Sequence, residues 1–367
     1  MIQSILIATG FITITGLTLA LLLVLAERRI LNYGECEISI NNGEKELTVQ
    51  GGATLLASLA ENDIFIPSAC GGRGSCAYCK LRVLAGGGVI SPVEEPYLSN
   101  EERKNGVRLS CQVKVRNDLQ IEIPKELFSV CRFSGIIEYK KPLTYDIIEL
   151  RIRLKQPESI DFVAGQYIQL ESAEYKGRES VMRAYSIASV PADNRSIDLN
   201  IRLVPDGICT TWVFEVLKEG QAVHFTGPYG EFRLSDTDAP IICIAGGSGM
   251  APIWSIIRDM KDRKIERETT YFFGARSQAD LFYLEELRQL EKVLPWFTFI
   301  PALSAEPENS DWKGERGLIT DVVSRHFPDC SRHEAYLCGS PGMIDACVAV
   351  LTKAGMPEDK ILYDKFT

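Results

Sequence analysis

The sequence predicts a multidomain chain: one N-terminal transmembrane helix, a small α+β domain, an antiparallel β-barrel and a doubly wound α/β domain. Three observations predict it. Residues 5–26 form an uncharged run of 22 residues. Three cysteines then fall within ten residues, Cys70, Cys76 and Cys79, between segments that alternate apolar and polar. Beyond residue 130 short alternating strands continue until Pro240, where the pattern changes to apolar strand, glycine turn and amphipathic helix. At 367 residues the chain has room for two or three domains of ordinary size. The expected boundaries are 1–30, 34–128, 130–235 and 236–367.

The run 5–26 is rich in Leu and Ile and long enough to cross a bilayer core as a helix. Glu27, Arg28 and Arg29 end it, and no basic residue precedes it. The positive-inside rule then puts the N-terminus outside and the rest of the chain in the cytoplasm, on a single-pass anchor. A cleaved signal peptide would want basic residues before the run and an A-x-A site after it, and neither is present. Gly16 and Ala20 are spaced for close helix packing in a membrane, with Thr9, Thr13 and Thr18 adding hydroxyls; a lone tether would tolerate the same residues. With 40 basic against 49 acidic residues, net −9, the chain is not built for nucleic acid. Eleven cysteines without a paired framework fit a reducing compartment. Cys36, Cys131, Cys209, Cys243, Cys330 and Cys347 are expected as buried small hydrophobes.

The run Cys70-Gly71-Gly72-Arg73-Gly74-Ser75-Cys76-Ala77-Tyr78-Cys79 spaces its cysteines by five and then two residues, and Cys111 follows after 31 more. A 2Fe–2S cluster needs four thiolates, two per iron. A loop that wraps it needs positive φ and close backbone approach, which Gly71, Gly72 and Gly74 permit. The alternative is a structural zinc on the Cys76/Cys79 pair, although zinc sites usually join two short knuckles. Around the loop, alternating segments at 37–41 and 45–49 flank an Asn42-Gly43 turn, Thr54 opens a helix over 55–61, and strands follow at 80–84 and from Arg108, the last delivering Cys111 near its start. Hairpin, helix, metal loop and returning strands resemble the β-grasp of plant-type ferredoxins, with Cys70, Cys76, Cys79 and Cys111 as cluster ligands.

Strands at 133–139, 145–154, 167–171, 197–203 and 222–226, separated by turn residues, predict the barrel. Within it, Arg183-Ala184-Tyr185-Ser186 places Arg183 and Tyr185 on one face of a strand. Arg183 can neutralise a phosphate while Tyr185 stacks on a flat ring. A strand tyrosine by itself is ordinarily half-buried packing, but Gly165-Gln166-Tyr167, Gly207-Ile-Cys-Thr-Thr and Gly227-Pro-Tyr-Gly-Glu-Phe stand at intervals around it. The order of these elements resembles the flavin domain of the ferredoxin–NADP reductase superfamily. That likeness implies FAD contacts from Arg183, Tyr185 and Ser186, with Thr210 near the diphosphate.

In the last domain, the apolar strand 240–245 runs into Gly246-Gly247-Ser248-Gly249-Met250-Ala251-Pro252 and a helix at 253–261. Gly246, Gly247, Gly249, Met250, Ala251 and Pro252 therefore form a dinucleotide diphosphate turn at a helix N-terminus, with proline near its first position. Strands at 269–273, 297–302 and 335–337 alternate with helices at 283–292 and 319–326, a doubly wound sheet whose ligands sit at strand carboxyl ends. Gly274-Ala-Arg-Ser and Cys338-Gly-Ser-Pro-Gly-Met fall there. These runs resemble the nicotinamide domain of the same superfamily. The resemblance implies that Cys338 lies beside the nicotinamide, that Gly339 and Pro341 contact the nucleotide, and that Phe366 covers the flavin; a core cysteine and a frayed terminus are the plainer alternatives. Arg276 alone makes no basic cluster for a 2′-phosphate, and Asp280-Leu-Phe-Tyr looks like NADH-using members, so NADH is the expected donor. His224, His326 and His333 carry no assigned chemistry; His326 closes a helix, where a cation is favourable.

The order membrane helix, 2Fe–2S domain, FAD barrel and NADH domain resembles, over essentially the whole chain, the F-subunit family of sodium-translocating NADH:quinone reductases. That implies electron flow from NADH to FAD to the 2Fe–2S cluster to other membrane subunits of a redox complex in a bacterial-type inner membrane, quinone being reached only through the complex. The soluble modules also occur in reductases that feed bacterial oxygenases, other ion-pumping redox complexes would take a similar reductase, and a membrane-tethered redox sensor is a third possibility.

Overall fold

The computed structural model describes residues 10, 13–20, 33–68 and 70–366. Of the expected membrane helix, residue 10 and residues 13–20 are helical, and the remainder of 5–26 lies outside the described residues. No helix among the described residues is long and apolar enough to cross a membrane. The chain divides into two compact units, 1–129 and 130–367.

The first unit is a five-stranded sheet in the order β2-β1-β5-β3-β4, made from β1 (Glu35–Ile40), β2 (Lys45–Gln50), β3 (Lys80–Ala85), β4 (Val107–Leu109) and β5 (Leu119–Glu122). β1 and β5 run parallel in the middle and the outer pairs are antiparallel, which is the β-grasp arrangement. The hairpin turns through Asn41, Asn42 and Gly43, all at positive φ. Thr54 caps the helix Leu55–Glu61 by accepting from the Ala57 amide at 3.2 Å, and Leu55 and Leu59 enter the core with Ile38, Ile40 and Ile121. Cys111 does not lie in a strand. β4 stops at Leu109, because the amides of Gln112 and Val113 both turn back to the Leu109 carbonyl, at 2.8 and 3.2 Å.

A buried ion pair holds the segment opposite. Arg108 meets Glu94 in bidentate fashion, both bonds at 2.8 Å, while its other donors reach the carbonyls of Gly87, Gly88 and Val89. Glu94, fully buried, also accepts from the amides of Ser91 and Leu109. Burial opposes the charge, but Arg108 and the two amides together hold the Glu94 carboxyl below its ordinary 4.5. A depressed folded-state value means that the contribution is present above the ordinary value and lost as pH falls through the folded one. Glu94→Ala leaves Arg108 charged and unpaired, so we expect about 3–5 kcal/mol of destabilisation, read from urea unfolding; a loss inside about 1 kcal/mol, the range of surface pairs, would contradict this role.

The second unit holds two sheets. β6 (Cys131–Pro142), β7 (Ile147–Gln156), β8 (Tyr167–Glu171), β9 (Met182–Ser186), β10 (Ser196–Arg202) and β11 (Ala222–Tyr229) pair antiparallel in the order β10-β7-β6-β11-β8-β9. A bridge from Ile187 to Leu199 brings the end of β9 back to β10, closing the sheet into a barrel around Ile152, Leu170, Ile197 and Phe225. Of the six cysteines expected inside the protein, Cys131 is the exception: it is exposed where β6 begins, outside the barrel core, and the other five are buried.

β12 (Ile241–Gly246), β13 (Thr269–Ala275), β14 (Phe297–Leu303), β15 (Glu315–Arg316), β16 (Glu334–Gly339) and β17 (Ile361–Lys365) form an all-parallel sheet in the order β15-β14-β13-β12-β16-β17. The winding reverses between β12 and β16, the switch point where such sheets bind ligands. The helix after β12 spans Met250–Asp262, so Pro252 is its third residue rather than its first; in the first turn its missing N–H still costs no internal hydrogen bond. Through Phe366 the end of the chain is not frayed. β17 pairs with β16, and the Phe366 amide donates to the Gly339 carbonyl at 2.9 Å.

Candidate functional site

The four motif cysteines come together as two pairs. Cys76 and Cys70 lie 3.4 Å apart through their sulfurs, and Cys79 and Cys111 3.3 Å apart. Two thiolates on one tetrahedral metal with bonds of about 2.3 Å stand roughly 3.8 Å apart, so each pair is close to the spacing for one ion. Among the described residues no three Cys, His, Asp or Glu side chains converge on one point. The division suits two irons with two thiolates each rather than one zinc.

Donors surround the sulfurs. Burial raises the Cys70 thiol, but the Ser75 amide and hydroxyl, with the Cys76 thiol, outweigh it and bring Cys70 down to about 6. Cys76, the donor of that pair, is pushed up, chiefly by burial. Donation from Cys79 lowers Cys111 to about 7 against burial, helped by Gln112, whose Nε2 lies 3.4 Å from the sulfur. Cys79 is correspondingly raised. Gly74, at φ +77°, is where a side chain would strain the backbone, and a Cβ there would also push on the side-chain tips Gln112 Nε2 and Val93 Cγ1, each 2.8 Å away. The loop thus packs its backbone against Gln112, the residue after Cys111, and the donor set and cradle fit a 2Fe–2S cluster.

In the second unit the barrel motifs converge. β8 and β9 set Tyr167 opposite Ser186, Ile168 opposite Tyr185, and Leu170 opposite Arg183. Gln166 links this pair to the next motif, its Nε2 donating to the Gly230 carbonyl at 3.2 Å, and Tyr167 stacks on Tyr229 at 5.5 Å. Tyr185 packs against the barrel core, its hydroxyl pushed up by burial and by Cys209. Thr210 Oγ1 accepts from the Val204 amide at 3.2 Å, and Tyr175 donates to the Ile208 carbonyl at 2.7 Å. Arg183 is half-buried, with one guanidinium nitrogen on the Met182 carbonyl. Tyr185 of β9 meets Cys209, the residue before Thr210 in the loop 204–211.

At the switch point the glycine turn touches the strand that carries Cys338. A Cβ on Gly249 would run into the Cys338 carbonyl and come within 2.9 Å of the Gly339 nitrogen, and one on Gly246 would come within 3.0 Å of Met343 Sδ. Gly246 and Gly249 thus lie against Met343, Cys338 and Gly339 at the carboxyl ends of β12 and β16, while Met250 and Ala251 pack into the core beneath. Cys338 is fully buried and its thiol is raised, first by desolvation. The register of β17 sets Lys365 opposite Gly339, and the amide of Phe366, the next residue, bonds to the Gly339 carbonyl.

Sequence reasoning missed the residues that join the two sheets. Ser255 Oγ, on the helix after the glycine turn, donates to the Ser189 carbonyl at 2.6 Å, and Arg258 donates to the Ala188 carbonyl. Ala188 and Ser189 extend the strand that carries Arg183 and Tyr185, so the phosphate-turn helix is tied directly to the barrel motif. Tyr283, stacked on Trp254 at 5.1 Å, donates to Glu149, and Tyr139 donates to the same carboxylate at 2.8 Å. The Ser255/Arg258 spacing along one helix face was the available signal; the Tyr283–Glu149 contact left none.

Around the end of β13 the carboxylates of Asp280 and Glu306 engage Ser277 and Gln278, and Arg276 is exposed. In a doubly wound sheet this is where an adenosine ribose is read, and two carboxylates are a poor setting for a phosphate.

Comparison with known proteins agrees with this division. Residues 38–116 match the family described as 2Fe-2S iron-sulfur cluster binding domain. Residues 134–234 match the oxidoreductase FAD-binding domain, and 243–349 the oxidoreductase NAD-binding domain. Among solved structures, an Amycolatopsis cytochrome P450 reductase superposes with a TM-score of 0.74 at 29% identity, over 90% of this chain and 99% of that one. The ferredoxin reductase in carbazole 1,9a-dioxygenase gives 0.69 at 26%, over 91% and 99%. The F subunit of the Na(+)-translocating NADH-quinone reductase of Pseudomonas aeruginosa is 37% identical over 403 aligned positions, 98% of each chain. That of Neisseria meningitidis is 38% identical over 398, covering 96% of this chain and 97% of its own. The alignments run longer than this chain's 367 residues, so the relatives carry insertions that it lacks. The chain is an NAD-, FAD- and 2Fe–2S-binding oxidoreductase, and it belongs to the family of Na(+)-translocating NADH-quinone reductase F subunits.

Proposed function

We propose that the chain is the NADH-oxidising subunit of a Na(+)-translocating NADH-quinone reductase-type complex, passing electrons from NADH through FAD and a 2Fe–2S cluster to a partner in the membrane. The observation that carries this reading is the pairing of four thiols in one unit, together with a flavin motif and a nucleotide turn tied to each other in the other. The proposed domains are 34–128 for the cluster, 130–235 for FAD and 236–367 for NADH, with 1–30 as the anchor in the inner membrane, N-terminus outside. Cys70 and Cys76 hold one iron, and Cys79 and Cys111 the other. Arg183 neutralises the flavin phosphates, Tyr185 and Ser186 line the ring, and Thr210 orders the loop at the diphosphate. The turn 246–252 would receive the nucleotide diphosphate on its amides, Gly339 and Pro341 would contact the nucleotide, Cys338 would stand by the nicotinamide, and Phe366 would cover the flavin. When bound, the flavin converts a hydride into single electrons, and the cluster carries them one at a time.

The carboxylates around β13 predict NADH over NADPH. NADPH is expected to lower kcat/KM at least about tenfold, the equivalent of 1.4 kcal/mol, in steady-state oxidation with an artificial acceptor; equal efficiencies would contradict the assignment.

A second reading, a reductase feeding an oxygenase, is supported by the likeness to the cytochrome P450 reductase and to the carbazole dioxygenase reductase. Purification from solubilised membranes separates the two. The proposed subunit brings membrane subunits with it, and removal of residues 1–30 stops delivery to them. A chain recovered alone, with delivery unaltered by that deletion, would favour the oxygenase reading.

A further inference from the structure

The parallel sheet leaves part of one edge without a strand. β15 pairs only with Ala302 and Leu303, so the outer side of β14 from Phe297 to Pro301 is closed by side chains instead. From the helix Leu284–Val293, Glu291 accepts from the Phe299 amide at 2.8 Å, and Arg288 donates to the Phe299 carbonyl at 2.9 Å. Pro301, two residues on and facing the same way, has no N–H to offer. An extended segment could not add to this edge without breaking those bonds.

Beside the closed edge lies a cavity of about 500 Å3, within the size range of small-ligand sites. It wraps round the middle of β14, away from the strand ends where the glycine turn stands. Arg288 lines it from the helix on one face of the sheet, and Arg325 and His326 from the helix Ile319–His326 on the other. Lys313, Glu315 and Arg316 line it between them.

Its charge is unlike that of the rest of the chain. Four Lys or Arg and a histidine face one carboxylate, in a protein of net charge −9. That carboxylate, Glu315, is already shared: it accepts from Arg325 at 2.7 Å and lies 2.9 Å from His326 Nε2. Arg288 is matched by Glu291 at 2.7 Å. Two cations remain unmatched. Arg316 donates only to neutral groups, the carbonyls of Glu306, Pro307 and Trp312 and the Ser310 hydroxyl. Lys313 is exposed and has no partner among the described residues. Backbone carbonyls thus fix the guanidinium of Arg316 in advance, which lowers the ordering cost of binding, while its charge stays uncompensated.

We propose that this cavity binds a small multivalent oxyanion, one bearing phosphate or carboxylate groups, at a site separate from the dinucleotide turn. Lys313 and Arg316 supply the unneutralised charge, and Arg325 and His326 flank it. Guanidinium and ammonium groups both suit such anions, the first by fork geometry and the second as a point charge. The closed edge argues against a protein strand as the occupant, and the concave shape favours a small molecule.

The test is NMR of the full chain carrying 13C-labelled histidine, with FAD and cluster loaded and NAD+ added to occupy the dinucleotide site. The chain has three histidines, and His326 is assigned as the signal missing from His326→Gln. Inorganic pyrophosphate is expected to shift that signal saturably, half-saturating below about 1 mM, while the signals of His224 and His333 stay in place. Sodium chloride at matched ionic strength should not reproduce the shift. Lys313→Glu is expected to weaken binding at least about tenfold, and Lys313→Arg to stay within about threefold of wild type. Absence of a saturable shift at His326, or equal affinity in Lys313→Glu, would overturn the proposal. So would a His326 response to an oligoglutamate peptide but not to pyrophosphate, which would give the site to an acidic protein segment.

Discussion

Cys76→Ser is expected to abolish the EPR signal of the reduced cluster while NADH continues to bleach the flavin. Cys76 stands in a pair with Cys70, 3.4 Å apart, so its loss leaves one iron with a single thiolate. The flavin and nucleotide motifs lie in the other compact unit, and the contacts that join them, Ser255 with Ser189 and Tyr283 with Glu149, involve no residue of the cysteine loop. Electron delivery to the membrane partner should fall by more than about 100-fold, beyond the 10- to 100-fold typical of losing an outer partner of a metal ligand. Reduction of flavin by NADH in a stopped-flow experiment should stay within about twofold of wild type, since less than 0.5 kcal/mol separates such rates. Loss of both signals would contradict the modular path.

The second large effect is expected at Arg183. Its guanidinium is half-buried at the side of β9, two residues from Tyr185 on the same face, with a single nitrogen engaged by the Met182 carbonyl. The remaining donors are free to meet a phosphate in charge-assisted bonds, worth about 1.5–3 kcal/mol for a charged partner. Arg183→Ala should therefore weaken flavin binding about 10- to 100-fold, so that the protein purifies with substoichiometric FAD. Tyr185→Ala should have the same direction, with an added cost in stability because the ring belongs to the barrel core. The cluster's EPR signal after chemical reduction serves as the control and should persist. Stoichiometric FAD in both variants would remove these residues from the flavin site.

Particular residues show why some of this was legible in the chain and some was not. Cys70, Cys76 and Cys79 are close in sequence, and loop chemistry needs them close, so spacing alone exposed them. Thr54 announced its helix by the same local logic, because a cap is a matter of three residues. Cys111 was visible only as a fourth cysteine, and its alternating neighbours pointed to a strand. The two amides that fold back on Leu109 make it a turn instead, a feature that periodicity does not encode. The last strand was hidden for a different reason. Ile-Leu-Tyr-Asp-Lys pairs on one side only, at the edge of a parallel sheet, so it keeps polar residues that a buried strand lacks. Nothing local marks Glu94 and Arg108 as partners. Only the fold brings them together, with carbonyl and amide groups closing around them. Tyr283 and Glu149 are 134 positions apart, and nothing local marks either as the other's partner.

These missed contacts also bear on how the site works. The helix proposed to receive the dinucleotide diphosphate is hydrogen-bonded through Ser255 to the strand extension beyond Tyr185. Orientation of the parallel sheet's glycine turn against the barrel is thus set by backbone carbonyls and buried polar pairs, not by the motif residues themselves. Preorganised geometry of this sort is what brings reacting groups within transfer distance.

The order of electron flow is the central claim, and a single-turnover reaction with one equivalent of NADH tests it most directly. Flavin absorbance and freeze-quenched EPR of the cluster are followed together. The account predicts that flavin bleaching comes first, that the cluster signal rises afterwards at the rate at which flavin absorbance recovers, and that the rise is absent in Cys76→Ser. A cluster signal that appears before any flavin change, or at full rate in protein stripped of FAD, would contradict it.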